Sequence, residues 1–168
     1  MYGPLLFCGV NYVMTKTFSW EIFVLAIPTM IMTVVLLYIH SVMDFDYDLK
    51  EGHYTIANIF NSQLESLIIL KILLVIAYVS LFGICIFDIS NWQVLLGLLT
   101  IPLAYDLYKS MTDYSLDNKS IPEIKWFHFP MENMKRIEKL KAESFMIRMY
   151  QSRNLMIYFS VLFREDLL

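Results

Sequence analysis

Apolar and polar positions follow one another along this chain in long blocks. Residues 1–15 form an uncharged block of 15 residues, broken early by Gly3-Pro4. A membrane helix needs about 20 residues, so this block reads as a short re-entrant or interfacial helix. Residues 16–21 read as a turn, with Trp20 placed as an interfacial aromatic. Residues 22–43 then give 22 positions without a formal charge, enough to cross a bilayer with some tilt. Pro28 predicts a kink there, and Thr29 or Thr33 can satisfy the backbone groups it frees. A polar connection over 44–62 leads to a second apolar run, 63–87, with Glu65 and Lys71 in its first half. Lys71 reads as a snorkelling side chain near the interface. After 88–91, Trp92 marks another interface, and a third run, 93–111, contains Pro102.

From Thr112 the pattern changes. Residues 113–130 are polar and aromatic, with Pro122 and Pro130, and read as a loop. Residues 131–153 predict a charged amphipathic helix with Met134, Ile137, Leu140 and Ser144 on one side. The uncharged stretch 154–163 is ten residues long, too short to cross as a helix. The expected fold class is therefore all-α: a multi-span transmembrane helical bundle over 1–112, then a polar loop and an amphipathic, juxtamembrane C-terminal helix over 113–168.

Composition supports the membrane reading. Of 168 residues, 58% are hydrophobic and 17% charged, more apolar surface than a soluble domain of this size can bury, so the remainder faces lipid. A net charge of −3 excludes the basic footprint of a nucleic-acid binder. Cys8 and Cys85 lie inside apolar runs without metal-ligand spacing and read as small hydrophobes. There is no nucleophile triad, no glycine-rich phosphate loop and no zinc-finger spacing. Nine of the 13 Lys and Arg residues fall between Lys109 and Arg153, and none in 88–91. The positive-inside tendency thus predicts a multi-pass protein of the cell membrane with the 44–62 connection and the C-terminal tail in the cytoplasm.

Candidate chemistry is concentrated in residues 40–57, HSVMDFDYDLKEGHYTIA. If the helix continues past Met43, residues four apart share a face. His40, Asp44 and Asp48 then form one polar stripe, Thr55 falls back onto it, and Asp46 points away. Two carboxylates one turn apart are a hard-oxygen site suited to Mg²⁺, which takes one or two carboxylates plus phosphate oxygens and water. Acids placed where a membrane run ends mark a site by default. His40 is a further candidate contact, and Gly52 predicts a sharp turn.

The pattern Asp44-x-x-x-Asp48-x-x-x-Gly52-x-x-Thr55-Ile56-Ala57 resembles the second aspartate-rich motif of the UbiA-type membrane prenyltransferases. It is most similar to the branch that prenylates 1,4-dihydroxy-2-naphthoate in menaquinone synthesis. Gly3-Pro4-Leu5 and Gly9-Val10-Asn11-Tyr12 stand upstream at the distance that branch shows. The resemblance implies Mg²⁺-dependent transfer of a polyprenyl group from its diphosphate to an aromatic acceptor within the bilayer. Asp44 and Asp48 would be the metal ligands and catalytic residues. His53, Gly52, Thr55 and His40 would line the substrate site, His53 against the diphosphate. Members of this family carry two aspartate-rich motifs in two halves of a bundle, and only one is present here. The chain is therefore expected to be the C-terminal part of a larger bundle that requires an N-terminal half for activity. The alternatives from the residues alone are a non-catalytic membrane fragment and a transport-type segment with an acidic loop.

Overall fold

The computed structural model describes residues 4–87, 89–117, 125 and 144–163. Every element among them is helical: α1 (Pro4–Thr15), α2 (Trp20–Met43), α3 (Phe45–Glu51), a 3-10 turn (Ala57–Ile59), α4 (Gln63–Phe87), a 3-10 segment (Ile89–Thr100), α5 (Ile101–Leu116) and α6 (Ser144–Phe163). Three stretches are long and apolar enough to cross a membrane: Trp20–Met43, Gln63–Ile86 and Val94–Leu116.

The first apolar block folds as α1, opening on Pro4, whose fixed φ suits a first helical turn. It packs beside α2 with most of its side chains exposed. Lys16 closes it at φ +59°, its N–H on the Tyr12 carbonyl at 2.8 Å. Ser19 then caps α2, accepting from the Ile22 N–H at 3.4 Å. Trp20 and Glu21, expected in the turn, thus belong to the helix.

Helix α2 runs through Pro28, which is buried. Thr29 Oγ1 donates to the Ala26 carbonyl and Thr33 Oγ1 to the Thr29 carbonyl, each at 2.9 Å. These bonds serve the turns around the proline, and neither reaches the Val24 carbonyl that Pro28 leaves without its donor.

The centre of the structure is the α2–α4 pair. From α4, Leu67, Leu70, Leu74, Ala77, Leu81 and Ile84 are buried at alternating spacings of three and four. From α2, Ile31, Val35, Tyr38 and Val42 answer them in the same core. The alternating spacing of three and four is that of a helix–helix seam. Two long-range bonds pin it at one end: Tyr38 Oη donates to the Ser66 carbonyl at 2.7 Å, and Gln63 Nε2 to the Val42 carbonyl at 2.6 Å. The second satisfies one of the last carbonyls of α2.

The third apolar run changes helix type at its middle. The 3-10 segment ends at Thr100, and α5 begins at Ile101 with Pro102 in its first turn, where a missing N–H does no harm. Thr100 Oγ1 donates to the Gly97 carbonyl at 2.7 Å and accepts from Tyr78 Oη at 2.8 Å, which fixes the junction to α4. Helix α5 continues to Leu116, past the boundary at Thr112 where sequence pattern placed a loop.

Residues 131–143 of the expected amphipathic helix lie outside the described residues. From Ser144 the chain is helical without a break to Phe163, across the division expected at Arg153. Helix α6 packs against α2, the 3-10 segment and α5, so the described part of the tail is seated in the bundle. Ile147, Arg148, Gln151, Ser152, Asn154, Leu155 and Phe159 form its buried face. Phe159 meets Tyr78 edge-on, with centroids 5.9 Å apart.

Candidate functional site

The aspartates sit where α2 hands over to α3. Asp44 itself departs from helical angles, at φ −88° and ψ 6°. The four-residue hydrogen-bond ladder nevertheless passes through it: the Asp44 N–H reaches the His40 carbonyl at 2.9 Å, and the Asp48 N–H reaches the Asp44 carbonyl at 2.8 Å. His40, Asp44 and Asp48 therefore keep the one-turn spacing expected of a continuous helix, although the helix is interrupted for one residue. Phe45, 4% exposed, anchors the start of α3 in the core. That anchoring leaves Asp44 and Asp48 half-buried and turns Asp46 out to solvent.

Neither the Asp44 nor the Asp48 carboxylate is engaged by a hydrogen bond or ion pair among the described residues. His40 is half-buried, and its Nδ1 lies 2.8 Å from the Leu36 carbonyl. A carbonyl can only accept, so Nδ1 is the donor in this contact.

Gly52 ends α3 in the left-handed region, at φ +74° and ψ 21°, with its N–H on the Asp48 carbonyl. The His53 N–H reaches the same carbonyl at 2.8 Å. This cap satisfies the helix end and throws the chain back across it. The His53 side chain is exposed at the rim, and its carbonyl accepts from Asn58 Nδ2 at 3.1 Å. Thr55 follows, half-buried, with its Oγ1 enclosed and without a hydrogen-bond partner; Asn58 Oδ1 is in the same condition. The cap thus brings Gly52 and His53 to the end of the aspartate ladder, with Thr55 in the turn behind them.

The donor set bears on which metal would suit the site. Among the described residues no group of three or more His, Cys, Asp or Glu side chains is placed to hold an ion. Two carboxylates alone fit Mg²⁺ when further oxygens arrive with a phosphate-bearing ligand and water. They do not fit a zinc-type site, which needs three or four protein ligands.

Two residues that sequence pattern did not single out stand beside this end. Tyr114, near the end of α5, is buried in the core that also takes in Met43, Phe45 and Met111, with Met149 packed against it. Its phenol lies within the electrostatic reach of Asp44 and Asp46. Arg148, on α6, has no exposed surface, and its guanidinium carbon lies 4.9 Å from the Tyr114 ring centroid. The end of α5, the start of α6 and the aspartate turn therefore meet at one end of the bundle. Tyr12 and Tyr105 are both more than half exposed.

Compared with family models, with curated proteins and with solved structures, the chain matches none.

Proposed function

We propose that this chain carries one carboxylate pair of a Mg²⁺-dependent prenyl-transfer site, moving a polyprenyl group from its diphosphate to an aromatic acceptor of the quinone-precursor type. The observation that carries the reading is the ladder through His40, Asp44 and Asp48, which presents two unengaged carboxylates one turn apart at the end of a membrane-length helix. When bound, Mg²⁺ would supply the positive charge that lets pyrophosphate leave with the electrons of the broken C–O bond. Asp44 and Asp48 would hold it. His53, which is exposed, would meet the diphosphate, and Gly52 sets the turn just before it. Thr55 Oγ1, enclosed and unpartnered, offers a further oxygen on the same loop. The exposed apolar faces of α2 and α4 would give the prenyl tail a lipid-like environment, whereas three spans do not by themselves exclude water from the reacting carbon on all sides.

In this reading the protein is a multi-pass membrane enzyme with the aspartate turn at the cytoplasmic surface. One carboxylate pair neutralises only part of the charge that develops on pyrophosphate. A second internal pair is not offered by Asp106 and Asp113, which are seven apart, with Asp106 committed to Lys125 at 2.9 Å. The chain is therefore expected to be close to inactive alone and to turn over once a second acidic pair is supplied by an N-terminal half, fused or in trans.

The test is Mg²⁺-dependent transfer from a polyprenyl diphosphate to a naphthoate or hydroxybenzoate acceptor in liposomes containing the complemented protein. Asp44→Asn and Asp48→Asn should each lower the rate at least about 100-fold, the scale of losing one electrostatic element of a transition-state site. Asp46→Asn, exposed and off the ladder, should lose less than about threefold. Equal losses at all three positions, or robust turnover by the 168-residue chain alone, would contradict the reading. Binding of Mg²⁺ that is indifferent to diphosphate would point instead to an acidic, ion-handling loop.

A further inference from the structure

The connection between α2 and α4 leaves and rejoins that pair at one level, because Gln63 Nε2 bonds the Val42 carbonyl and Tyr38 Oη the Ser66 carbonyl. That level can be set against a bilayer. Helix α2 has 24 residues from Trp20 to Met43, a rise of about 36 Å against a hydrocarbon core of about 30 Å. Trp20 meets Phe18 and Phe23 edge-on, with centroids 5.3 and 5.5 Å away, and is largely exposed, as suits an aromatic at headgroup level. With Trp20 at one surface, Met43 emerges about 6 Å past the hydrocarbon at the other. The two halves of the connection then differ. Outbound, residues 46–51 carry Asp46, Asp48, Lys50 and Glu51; inbound, residues 54–64 carry no formal charge. The large inbound side chains stand outside the core: Tyr54 is 98% exposed, Ile56 60% and Ile59 76%. A 3-10 turn puts side chains three apart on one face, so Ile56 and Ile59 stand together, with the Ile59 N–H on the Ile56 carbonyl at 3.4 Å. Ala57, fully buried, seats this turn against α2, α3 and α4. The isoleucine face is thereby held at the helix ends.

We propose that the inbound segment is a lipid wedge: Tyr54, Ile56 and Ile59 enter the headgroup–acyl boundary of the bilayer, while the charged outbound turn stays on its wet side. The inference rests on α2 and α4 crossing the bilayer and is independent of prenyl transfer. Two features select lipid as the occupant. The face runs along the chain into Leu64 and Ile68, exposed at the start of α4, so the lipid-facing surface of that helix continues into it. It also offers a tyrosine, whose ring and hydroxyl match an apolar-to-wet boundary, and no charge to steer a polar partner. The wedge acts by position. It moors the connection at one height and keeps the outbound turn level with the phosphates of membrane-borne amphiphiles.

The test uses the full chain in phosphatidylcholine nanodiscs, with a nitroxide on each of Asp46→Cys, Ile56→Cys, Ile59→Cys and Ile72→Cys in a Cys8→Ala, Cys85→Ala background. Collision with oxygen, set against collision with a water-soluble nickel chelate, reads depth. Labels at 56 and 59 should lie about 5–10 Å into the headgroup–acyl boundary, between a shallow label at 46 and a deep one at 72. Added phosphatidylglycerol should leave these depths unchanged, since the segment has no charge to be drawn to anionic headgroups. An oxygen-to-nickel ratio at 56 and 59 equal to that at 46 puts the face in water and overturns the wedge. So do labels closed to both reagents, the sign of a second copy or another protein over the face, and so does a depth that appears only with phosphatidylglycerol. If the label at 72, on the exposed flank of α4, is itself outside lipid, the membrane reading of α4 fails and the wedge with it. The unaltered chain gives a second measurement that no substitution can spoil. Photolysis of a lipid bearing a diazirine beside its carbonyls should label residues 54–59 and spare 46–51; labelling of α4 without 54–59 overturns the wedge.

Discussion

At Gly52 the backbone stands at φ +74°, and an added Cβ would meet nothing within 4 Å. The effect of substitution there is purely conformational. Gly52→Ala should destabilise by about 1–2 kcal/mol, the cost of the left-handed region for an L-residue, and loosen the cap that carries His53. A fall of several degrees in the unfolding midpoint in detergent checks this; an unchanged midpoint would show that the turn relaxes freely. This glycine was legible in the sequence because it follows a short acidic helix at the distance where a C-cap belongs. The aspartates were legible because charges at the end of an uncharged run are costly and therefore placed. Tyr114 and Arg148 were not. They come from positions far along the chain, and Tyr114 comes within reach of Asp44, and Arg148 against Tyr114, only through helix packing. Arg148 also lies in a stretch rich in Lys and Arg, where one more cation carries no signal of burial.

Helices α2 and α4 coincide closely with the apolar runs that predicted them, and α4 does so residue for residue. Which face each would bury could not be read. On α4, Ile68, Ile72, Val75, Ile76, Val79, Phe82 and Ile86 are exposed and as apolar as the leucines of the seam. Where the surroundings are lipid, the outward face carries no polar marker. Packing shows itself instead at glycines. An added Cβ at Gly97 would lie 3.1 Å from Leu81 Cδ1 and 3.5 Å from Phe159 Cε2, both fully buried side chains. Gly97→Ala should therefore destabilise by about 1 kcal/mol or more through overpacking. Gly83→Ala, with nothing within 4 Å, should stabilise α4 by about 0.5–1 kcal/mol. Denaturation of the two variants in parallel tests the pair; equal effects would remove the close approach of the 3-10 segment to α4 and α6. The third run is a membrane-length helical stretch as expected, Val94–Leu116, but it changes from 3-10 to α at Ile101, where Pro102 stands in the first α-helical turn. In the described residues 144–163, polar side chains that a juxtamembrane helix would leave in solvent are enclosed. Arg148, Gln151, Ser152 and Asn154 are instead buried, facing neighbouring helices.

For the whole molecule, the described helices place the aspartate turn, the end of α5 and the start of α6 at one end, and the junction between α4 and the 3-10 segment at the other. Combined with the skew of Lys and Arg toward 109–153, this predicts that Ser62 faces the cytoplasm and residue 91 the opposite side. Cysteines introduced at Ser62 and Asn91 should label from opposite faces of sealed vesicles. Labelling of both from one face would leave the three apolar helices as a bundle that does not cross the bilayer in alternation.

The two side-chain bonds that join α2 to α4, from Tyr38 to Ser66 and from Gln63 to Val42, close loops of modest length within the first half of the chain. Such local closure is fast on the timescale of synthesis. From the end of α4 to the end of α6 there are 76 residues still to be made (163 − 87), which at about 5–20 residues per second takes several seconds. During that interval the hairpin of α2 and α4 can stand paired, with the flank that will receive α6 still open. The buried arginine arrives later, on α6, at a groove whose accepting Ser110 carbonyl and Tyr114 face are already in place. Seating α6 would thus mean docking a charged helix into a preformed, largely apolar slot. The step that seats Arg148 is the one where a slowed or failed insertion would leave the longest-lived partly folded chain.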